Sequence, residues 1–408
     1  YKPIVAELKR RSVINQAYVV EGKKAPANSA MIPPSTYRAM TKSFASVCED
    51  EVEERYESLP RRLRDAMYPF QVEGVKFALS RNGRCFLADQ MGVGKTIQAL
   101  AVGAAYLHEG PLLIIAPASL RLTWARECER WIPELRPKNL HVINGTSDTK
   151  LRGERGDLFA SLKATAAARA AYSAGSNGDE PKPTRFQRYD DEIDDDERDD
   201  DDGDDAYFAA LATQVATKAM KTAAAAAFAP RVVVASYHMV ARLRDKFRSV
   251  RWGAVVVDES HTLRTTTGRG EVDHTEVTLD IIRSTKRAVL ATGTPSLSRP
   301  YDVFNQVDAL QPGCLGSDKH EFASTYCERQ WVADNPYSGT SHLSVSGGER
   351  LFELNVLLRH AVMIRRMKKD VVGDLPPKRR QVVLIDCEGL DGKRAGGAGK
   401  KTHGASQE

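Results

Sequence analysis

The sequence predicts an α/β fold built on a doubly wound parallel sheet, and three observations lead to that prediction. Six short apolar runs occur between residues 85 and 292, each bounded by turn-forming residues. Most of the runs are continuously apolar rather than alternating, as expected of strands that are buried on both faces. Segments with helical spacing separate them, which is the order of a parallel sheet whose strands are joined by crossover helices.

The six runs are the predicted strands, in chain order 85-CFLAD-89, 112-LLIIA-116, 140-LHVIN-144, 232-VVVAS-236, 255-VVVD-258 and 288-AVLAT-292. The clearest helix follows the first of them. Its apolar residues recur at intervals of three and four, which places on one helix face Ile97, Leu100, Ala101, Ala104 and Leu107.

These elements delimit the predicted domains. An unassigned amino-terminal extension covers 1–60, and the α/β domain covers 62–300. An Ala-rich and acidic insertion at 150–229 interrupts it, and this composition predicts a long disordered segment. A tolerated loop is the simplest interpretation of the insertion; a mimic of DNA or a docking tail is the alternative. A helical and basic segment is predicted at 301–386, followed by a disordered tail at 387–408.

The charge of the chain is unevenly distributed. The block 190–205 contains thirteen acidic residues and one Arg, a net −12, whereas the whole chain carries +5, so the remainder carries +17. A basic balance of this size favours a polyanionic partner such as nucleic acid. A generally basic surface without such a partner is the alternative.

Cysteine spacing and hydropathy exclude several classes of protein. The six cysteines are never closer than thirteen residues, so zinc ribbons and redox Cys pairs are not predicted. No apolar run approaches the ~20 residues that span a bilayer. We expect a soluble intracellular protein with reduced thiols, and, because the sequence begins at Tyr1, a fragment or a processed piece.

The stretch 89-DQMGVGKT-96 has the features of a phosphate-binding loop between a strand and a helix. Gly92 and Gly94 allow a tight turn whose amides can face phosphate oxygens, Lys95 supplies a cation, and Thr96 supplies a hydroxyl for Mg²⁺. The strict motif has Gly at its first position, where this chain has Asp89.

The stretch 255-VVVDESH-261 delivers two adjacent carboxylates to the end of a predicted strand. Beside a phosphate loop in one parallel sheet, Asp258 could reach Mg²⁺ through water, and Glu259 could polarise an attacking water. His261 could link this site to a neighbouring motif. The alternative is that these acids begin a solvated loop.

Two further stretches gain meaning only beside these motifs. In 290-LATGTPSLSRP-300, the hydroxyls of Thr292 and Thr294 could relay between the acids and a second domain, although a plain strand-to-turn junction is equally compatible. In 68-YPFQVEGVKFAL-79, the amide of Gln71 could read the edge of an adenine, although Gln is also common on surfaces.

Together these motifs resemble the superfamily 2 helicase-like ATPases of the Swi/Snf type. That family's phosphate loop reads Asp-Glu-Met-Gly-Leu-Gly-Lys-Thr, with Asp where this chain has Asp89, and it also carries Asp-Glu-x-His and Thr-Gly-Thr-Pro, matched at 258–261 and 292–295. The stretch 117-PASLRLTWARECERWIP-133 resembles its DNA-contacting motif Ia with the following Trp-rich helix.

The likeness extends to the annealing-helicase (HARP-type) fork-remodelling branch. It rests on 69-PFQVEGVKFAL-79, 83-GRCFLADQMGVGKTIQAL-100, 297-LSRPYDVFNQVDALQP-312 and 360-HAVMIRRMKKDVVGDLPPKRRQVVL-384. It covers about 62–150 and 229–386 and implies the first RecA-like ATPase lobe of a motor.

This resemblance implies ATP and Mg²⁺ as ligands and assigns roles to residues that match the motifs. The catalytic residues would be Lys95, Asp258 and Glu259, and Mg²⁺ would be held by Thr96 and Asp258. The nucleotide would contact Gln71, which faces adenine, and Asp89, Gly92, Val93, Gly94, Lys95, Thr96 and His261.

The resemblance also implies a DNA partner. Ser119, Arg121 and Ser236 match positions that grip strand phosphates, and such contacts set register without reading sequence. Binding to duplex or forked DNA would then be directed by structure and weakened by salt. The run Arg365, Arg366, Lys368 and Lys369 would lead toward a second lobe.

Three departures from the family pattern modify this expectation. Gln90 replaces an acid beside Asp89, Tyr68 stands where many relatives have Arg and would stack on adenine, and the insertion is unusually long. We expect the second lobe to be missing from this sequence; it would supply arginine fingers worth about 10³–10⁵ in rate. This chain alone should then bind ATP weakly and hydrolyse it very slowly.

The resulting hypothesis is a nuclear, ATP-dependent DNA translocase or annealing helicase in replication-fork repair. Single-stranded-DNA-binding or replication proteins could be partners through regions outside this sequence. The alternatives are a nucleosome-remodelling ATPase of the same family and a non-catalytic DNA-binding or scaffold lobe. An RNA helicase is disfavoured, because Asp-Glu-Ser-His and Thr-Gly-Thr-Pro depart from the Asp-Glu-Ala-Asp and Ser-Ala-Thr pattern.

Overall fold

The computed structural model describes residues 47–150, 156–165, 230–265, 273–296, 299–333, 341–371 and 373, together with two short strands. These two, β1 (Ala17–Tyr18) and β2 (Ala30–Met31), pair in parallel. The predictions for residues 166–229, including the acidic block, and for the tail at 387–408 lie outside the described residues.

Seven strands form one sheet, and every pairing in it is parallel. Their order is β11-β3-β8-β7-β4-β6-β5. The six predicted strands are confirmed within a few residues: β3 (Arg84–Leu87), β4 (Leu112–Ala116), β5 (Leu140–Val142), β6 (Val232–Ser236), β7 (Ala254–Asp258) and β8 (Arg287–Ala291). The seventh, β11 (Met363–Ile364), was not predicted.

Helices cover both faces of the sheet. Successive strand residues point to opposite sides, so both faces carry apolar side chains that the helices bury. In β3, Cys85 and Leu87 belong to one apolar cluster and Phe86 to the other. The first layer contains α1 (Glu49–Glu57), α2 (Arg61–Asp65), α3 (Pro69–Ser80), α4 (Lys95–Ala105) and α5 (Arg121–Trp131). The second contains α6 (158–165), α7 (Tyr237–Arg242), α8 (Arg244–Arg248), α9 (Asp273–Ser284), α10 (Phe304–Leu310), α11 (Lys319–Tyr326) and α12 (Leu351–Ala361). The doubly wound α/β fold is therefore confirmed.

Helix α6 corrects the start of the predicted insertion. Residues 156–165 lie within the segment assigned to disorder, yet Leu158, Phe159 and Leu162 are buried in the second layer. The aromatic rings of Phe159 and Phe247 meet edge to face with centroids 5.2 Å apart. Three large apolar side chains at helical spacing supply the packing that the Ala-rich stretch beyond them lacks.

The core also continues past the predicted boundary at residue 300. Leu354, Leu357 and Val362 belong to the same apolar cluster as Phe86 of the sheet. A hairpin of β9 (Arg329–Ala333) and β10 (Ser341–Val345) lies between α11 and α12. Within the described residues, the segment that we predicted to lead toward a second lobe also completes the second layer of the domain and supplies its edge strand.

Arg84 anchors the first residue of β3. Its guanidinium donates to the carbonyls of Leu310 at 2.8 Å, Ala309 at 2.7 Å and Ile282 at 3.1 Å, and also to that of Thr285. These carbonyls lie near the carboxyl ends of α9 and α10, where helices accumulate negative partial charge. Burial lowers the pKa of Arg84 to about 10, so the side chain is still a cation at neutral pH.

Because all strands of the sheet are parallel, their carboxyl ends meet at one edge. Residues 89–96 follow β3, Asp258 ends β7, Thr292 follows β8, and residues 117–121 follow β4. This edge is where open α/β sheets bind ligands. No helix in the described part of the chain is long and apolar enough to cross a bilayer.

Candidate functional site

The loop at residues 89–96 depends on two glycines in the left-handed region. Gly92 has φ 77° and Gly94 has φ 85°, and α4 begins at the next residue, Lys95. A Cβ atom on Gly94 would lie 2.2 Å from the side-chain nitrogen of Gln71. A larger residue at Gly94 would be both strained and blocked, so the turn requires glycine. The loop presents the amino end of α4, a backbone arrangement that binds anions.

Lys95 places its ammonium group inside this loop. Its Nζ donates to the carbonyl of Asp89 at 3.0 Å and to that of Gln90 at 3.4 Å. Burial lowers the pKa of Lys95, and the nearby carboxylates of Glu259, Asp89 and Asp258 act in the opposite direction. The cation therefore lies between the loop and the acids at the end of β7.

Asp89 is completely buried, and all of its side-chain contacts are with protein groups. Oδ1 accepts from the backbone N–H of Arg366 at 2.9 Å and from its Nε at 3.0 Å; Oδ2 accepts from Nη2 at 2.6 Å. Gln98 also donates to Oδ2, at 3.1 Å. We expected Asp89 among the nucleotide contacts; its carboxylate instead holds Arg366. An acid replaces the first glycine of the motif because it pairs with a buried cation.

The residues after β11 contact the phosphate loop and the residues next to it. Arg365 donates to the carbonyls of Ala88 at 2.7 Å and Gly293 at 3.4 Å. The backbone N–H of Lys368 donates to the side chain of Gln90 at 2.8 Å. Val371 packs with Val93 and Phe70 in a small apolar cluster. The basic run thus braces the phosphate loop.

Gln71 lies beside the same loop but is already engaged. Its Oε1 accepts from the backbone N–H of Tyr68 at 3.0 Å, and its Nε2 donates to the carbonyl of Val93 at 3.0 Å. The residue is 5% exposed. Tyr68 is 37% exposed, and its ring is parallel to that of Phe70 with centroids 6.0 Å apart. An accessible aromatic face therefore stands next to the Gln71 amide.

The two acids after β7 differ in environment. Both Asp258 oxygens accept a hydrogen bond, Oδ1 from the backbone N–H of Glu259 at 3.0 Å and Oδ2 from Trp124 Nε1 at 2.8 Å. Burial raises the pKa of Asp258, and the Trp124 hydrogen bond opposes this shift. Glu259 has φ 49°, a left-handed conformation that is strained for a non-glycine residue. That backbone conformation turns the second acid out of the strand direction.

Side chains from two motifs meet around Glu259. Its Oε2 lies 3.2 Å from Nδ1 of His261 and 3.4 Å from the hydroxyl of Thr292. The same His261 nitrogen lies 2.9 Å from the Thr292 hydroxyl. Behind them, Ser260 donates to Gln306 at 2.9 Å, and Gln306 donates to the Pro295 carbonyl at 3.1 Å. The acidic motif and the Thr-Gly-Thr-Pro motif are therefore hydrogen-bonded to each other.

The three candidate DNA contacts have unequal exposure. Ser119 is exposed in the short 3₁₀ turn before α5. Arg121 begins α5 and donates to the carbonyls of Ile143 at 2.8 Å and Asn144 at 3.2 Å. Ser236 is only 4% exposed, and its hydroxyl caps α7 by accepting from Met239 N–H at 3.4 Å. The structure therefore gives Ser236 a helix-capping role and leaves Ser119 and Arg121 as the surface candidates.

The donor set fits a magnesium ion that is coordinated mainly by phosphate and water. Among the described residues, no three His, Cys, Asp or Glu side chains come together as a metal-binding group. Mg²⁺ bound with nucleotide needs only one or two oxygen donors from the protein. Thr96 at the start of α4 and Asp258 at the end of β7 are donors of that kind.

Sequence reasoning missed three residues that build the site: Trp124, Gln306 and Arg366. Each contacts a motif from far along the chain, Trp124 across 134 positions and Arg366 across 277. One signal was present in the sequence. An acid inside a phosphate loop needs a cationic partner when buried, and the 365-RR-366 pair directly follows the apolar run 361-AVMI-364.

Comparisons of the sequence with known proteins point to one family. The family model of the SNF2-related domain matches residues 70–392. The chain is 31% identical over 338 residues to the DNA annealing helicase and endonuclease ZRANB3 of Mus musculus, covering 80% of this chain and 23% of that protein. It is 29% identical over 335 residues to the SWI/SNF-related matrix-associated actin-dependent regulator of chromatin subfamily A-like protein 1 of Xenopus tropicalis, covering 81% and 26%.

The chain thus spans about a quarter of the length of the curated relatives it matches. Among solved structures, the Sulfolobus solfataricus SWI2/SNF2 ATPase core in complex with dsDNA is similar at a TM-score of 0.44 and 19% identity. That likeness covers 78% of this chain and 48% of the other.

Replacing Asp89 by Asn should destabilise the fold strongly, because the Arg366 side chain, 11% exposed, would lose its buried counter-charge and keep only Glu73, which lies 3.5 Å away and is 72% exposed. Breaking a buried pair in this way costs about 3–5 kcal/mol. Urea denaturation measures the free energy of unfolding. Asp65→Asn is the matched control, since its partner Arg61 is 87% exposed and such pairs are worth at most about 1 kcal/mol. Equal losses in the two variants would contradict the structural role of Asp89.

Asp258 should make stability depend on pH. Burial raises its pKa in the folded protein above 3.8, so the folded state binds more protons than the unfolded state in the window above that value. The contribution of this carboxyl to stability is therefore lost as the pH rises through the raised pKa. Asp258→Asn removes this titration. The Tm of the variant minus that of the wild type should increase between pH 4 and pH 7; a constant or falling difference would contradict the raised pKa.

Proposed function

We propose that this chain, which belongs to the SNF2-related family, is an ATP-hydrolysing motor domain that acts on duplex or forked DNA. One observation carries the proposal. A glycine-dependent phosphate loop, two acids and a Thr-Gly-Thr-Pro motif meet at the carboxyl edge of one parallel sheet. The rest of the site supplies a role for each residue type that ATP hydrolysis needs.

The nucleotide phosphates would bind the amino end of α4. The amides of residues 92–96 are the anion donors, and the two positive-φ glycines allow the backbone to approach closely. Lys95 would exchange its two carbonyl contacts, at 3.0 Å and 3.4 Å, for phosphate oxygens. Those carbonyls lie in the same loop, so the ammonium need move little.

Adenine would lie beside α3. Tyr68 offers an accessible ring at its amino end, and Gln71 holds the carbonyl of Val93 in the loop. Gln71 would thereby couple recognition of the base to the shape of the phosphate loop, because one amide contacts both. An amide side chain presents a donor and an acceptor, the pattern that the adenine edge requires.

Hydrolysis would be carried by the acids after β7. Thr96 and Asp258 would hold Mg²⁺, which neutralises developing charge on the phosphates. Glu259 would orient and polarise the attacking water as general base, and His261 and Thr292, at 3.2 Å and 3.4 Å from its carboxylate, would fix its orientation. The left-handed backbone at Glu259 supports this assignment, since strain of that kind concentrates at functional sites.

DNA would bind the surface at the amino end of α5. Ser119 is exposed there, Arg121 carries the cation, and Leu122 is an exposed apolar side chain, 58% accessible. Contacts of Ser and Arg with backbone phosphates position a protein on DNA without reading its sequence. We therefore expect recognition of DNA structure rather than of base sequence.

Within the family we propose an annealing-helicase activity in replication-fork repair, with nuclear residence. The naming of the Mus musculus relative, 31% identical, as a DNA annealing helicase supports this choice over nucleosome remodelling. Rewinding of a partly melted duplex by the protein, compared with sliding of a nucleosome, separates the two activities.

Lys95→Ala should weaken nucleotide binding. A hydrogen bond to a charged group contributes about 1.5–3 kcal/mol, which corresponds to about 10–100-fold in affinity. Titration of residues 1–408 with a fluorescent ATP analogue and Mg²⁺ measures the Kd. Lys76→Ala is the control, because the Lys76 ammonium pairs with Glu53 on the outer surface of the first layer. An unchanged Kd in Lys95→Ala would overturn the site.

Glu259→Gln should keep the affinity for the nucleotide and lower the rate of hydrolysis by about 10²–10⁴.

Arg121→Gln should weaken DNA binding equally on oligonucleotides of unrelated sequence. Each phosphate contact contributes about 0.9 to the slope of log affinity against log salt, so the slope should fall by about one. Fluorescence anisotropy between 50 and 200 mM salt measures it, the range over which phosphate contacts dominate. Arg130→Gln, near the other end of α5 and paired with Glu127, should leave the slope unchanged. Identical slopes for wild type and Arg121→Gln would remove α5 from the DNA surface.

A further inference from the structure

Helix α5 belongs to two regions of the domain at once. Its first residue, Arg121, follows the exposed Ser119 at the proposed DNA surface. One turn later, Trp124 is 2% exposed and points inward, where its indole N–H donates to Oδ2 of Asp258 at 2.8 Å. A single rigid helix turn thus joins the surface to the acid that ends β7.

The contact fixes one half of the Asp258 carboxylate. The other oxygen accepts from the backbone N–H of Glu259, the next residue, and the main-chain carbonyl of Asp258 accepts from the Tyr237 hydroxyl at 2.6 Å. Of the two side-chain contacts, only the one from Trp124 comes from an element that carries candidate DNA contacts. A shift of α5 against the sheet would therefore act on the Asp258 carboxylate through Oδ2.

The hydrogen bond from Trp124 to Asp258 can run in one direction only. An indole nitrogen can only donate, so it addresses the carboxylate and leaves no acceptor that could compete for a metal-bound water. Arg121 also holds the carbonyls of Ile143 and Asn144, so a phosphate that draws its guanidinium away would release the amino end of the helix. Arg121, the cation at the proposed DNA surface, and Trp124, the donor to the Asp258 carboxylate, are therefore three residues apart on one helix.

We propose that Trp124 is a positioning residue that couples DNA engagement at the amino end of α5 to the orientation of the Asp258 carboxylate, and hence to the affinity for Mg²⁺ with nucleotide. The inference rests on the proposed function and goes beyond it by naming the residue that transmits the signal. Its consequence is reciprocal. DNA tightens Mg²⁺-dependent nucleotide binding, and nucleotide with Mg²⁺ tightens DNA binding by the same factor.

The chain contains a matched control on the same helix. Trp131 also donates from its indole nitrogen, to Glu127 at 2.6 Å, but both members of that pair lie on α5. Trp124→Phe and Trp131→Phe each keep an aromatic ring and remove one indole N–H. Only the first removes a contact between α5 and the acid.

The experiment is a Mg²⁺ titration of the affinity of residues 1–408 for a fluorescent ATP analogue, with and without a duplex oligonucleotide. In the wild type, DNA should lower the half-saturating Mg²⁺ concentration by about fivefold or more, the range of ordinary coupling between sites. Trp124→Phe should show a shift below twofold, and should need about fivefold more Mg²⁺ without DNA, the value of one hydrogen bond. Trp131→Phe should behave as wild type.

The outcomes separate the inference from the proposed function. A wild type that does not bind the analogue with Mg²⁺ overturns both. A wild type that binds, with the same DNA-induced shift in Trp124→Phe, overturns the inference alone. If Trp124→Phe does not fold, the indole N–H resonance of Trp124 in the ¹⁵N-labelled wild type decides, since the chain has four tryptophans. Movement of that resonance on adding duplex supports the coupling, and a stationary resonance overturns it.

Discussion

The buried ion pair between Asp89 and Arg366 is the contact on which the geometry of this domain depends. It joins the second residue after β3 to the chain after β11, 277 positions later, and the acid has no exposed surface. Arg366 also donates to Gln98 at 2.8 Å, so the pair reaches α4 as well. Removing two charges from water is unfavourable unless every donor and acceptor is satisfied, and here the carboxylate accepts four hydrogen bonds. Such a pair specifies one arrangement of the loop, the helix and the edge strand.

Local pattern was enough to predict the strands and the motifs. Continuous apolar runs identify buried parallel strands, and the residues after them must share an edge, so the phosphate loop, Asp258 and Thr292 could be brought together before any coordinates. The elements that we did not predict show no sustained regular spacing of apolar residues in the sequence. Strand β11 is two residues long, and α6 presents only three large apolar side chains at the border of a low-complexity stretch. Contacts such as Trp124 with Asp258 depend on the order of strands, which propensity does not determine.

The candidate DNA contacts show that a motif position can also assign a surface role to a buried residue. Ser119 and Arg121 follow β4, and Ser236 ends β6, all at the carboxyl edge of the sheet, but their exposure differs. Ser236 ends β6, which is buried throughout, and is the N-cap of α7, where its hydroxyl satisfies a free backbone N–H. Position along a motif is therefore insufficient to assign a surface role. The side chain must also lack a better partner inside the protein.

Strand β3 is fastened at both ends by arginines. Arg84 ties its first residue to the carboxyl ends of α9 and α10, and Arg365 and Arg366 hold the residues just after its last. In the proposed motor, this arrangement would brace the strand. Force at the carboxyl edge would then be shared between β3, the chain after β11 that holds Asp89, and the two helices that Arg84 contacts at the other end of the strand. The loop that grips the phosphates would then keep its distance from the acids of β7 while the domain bears force.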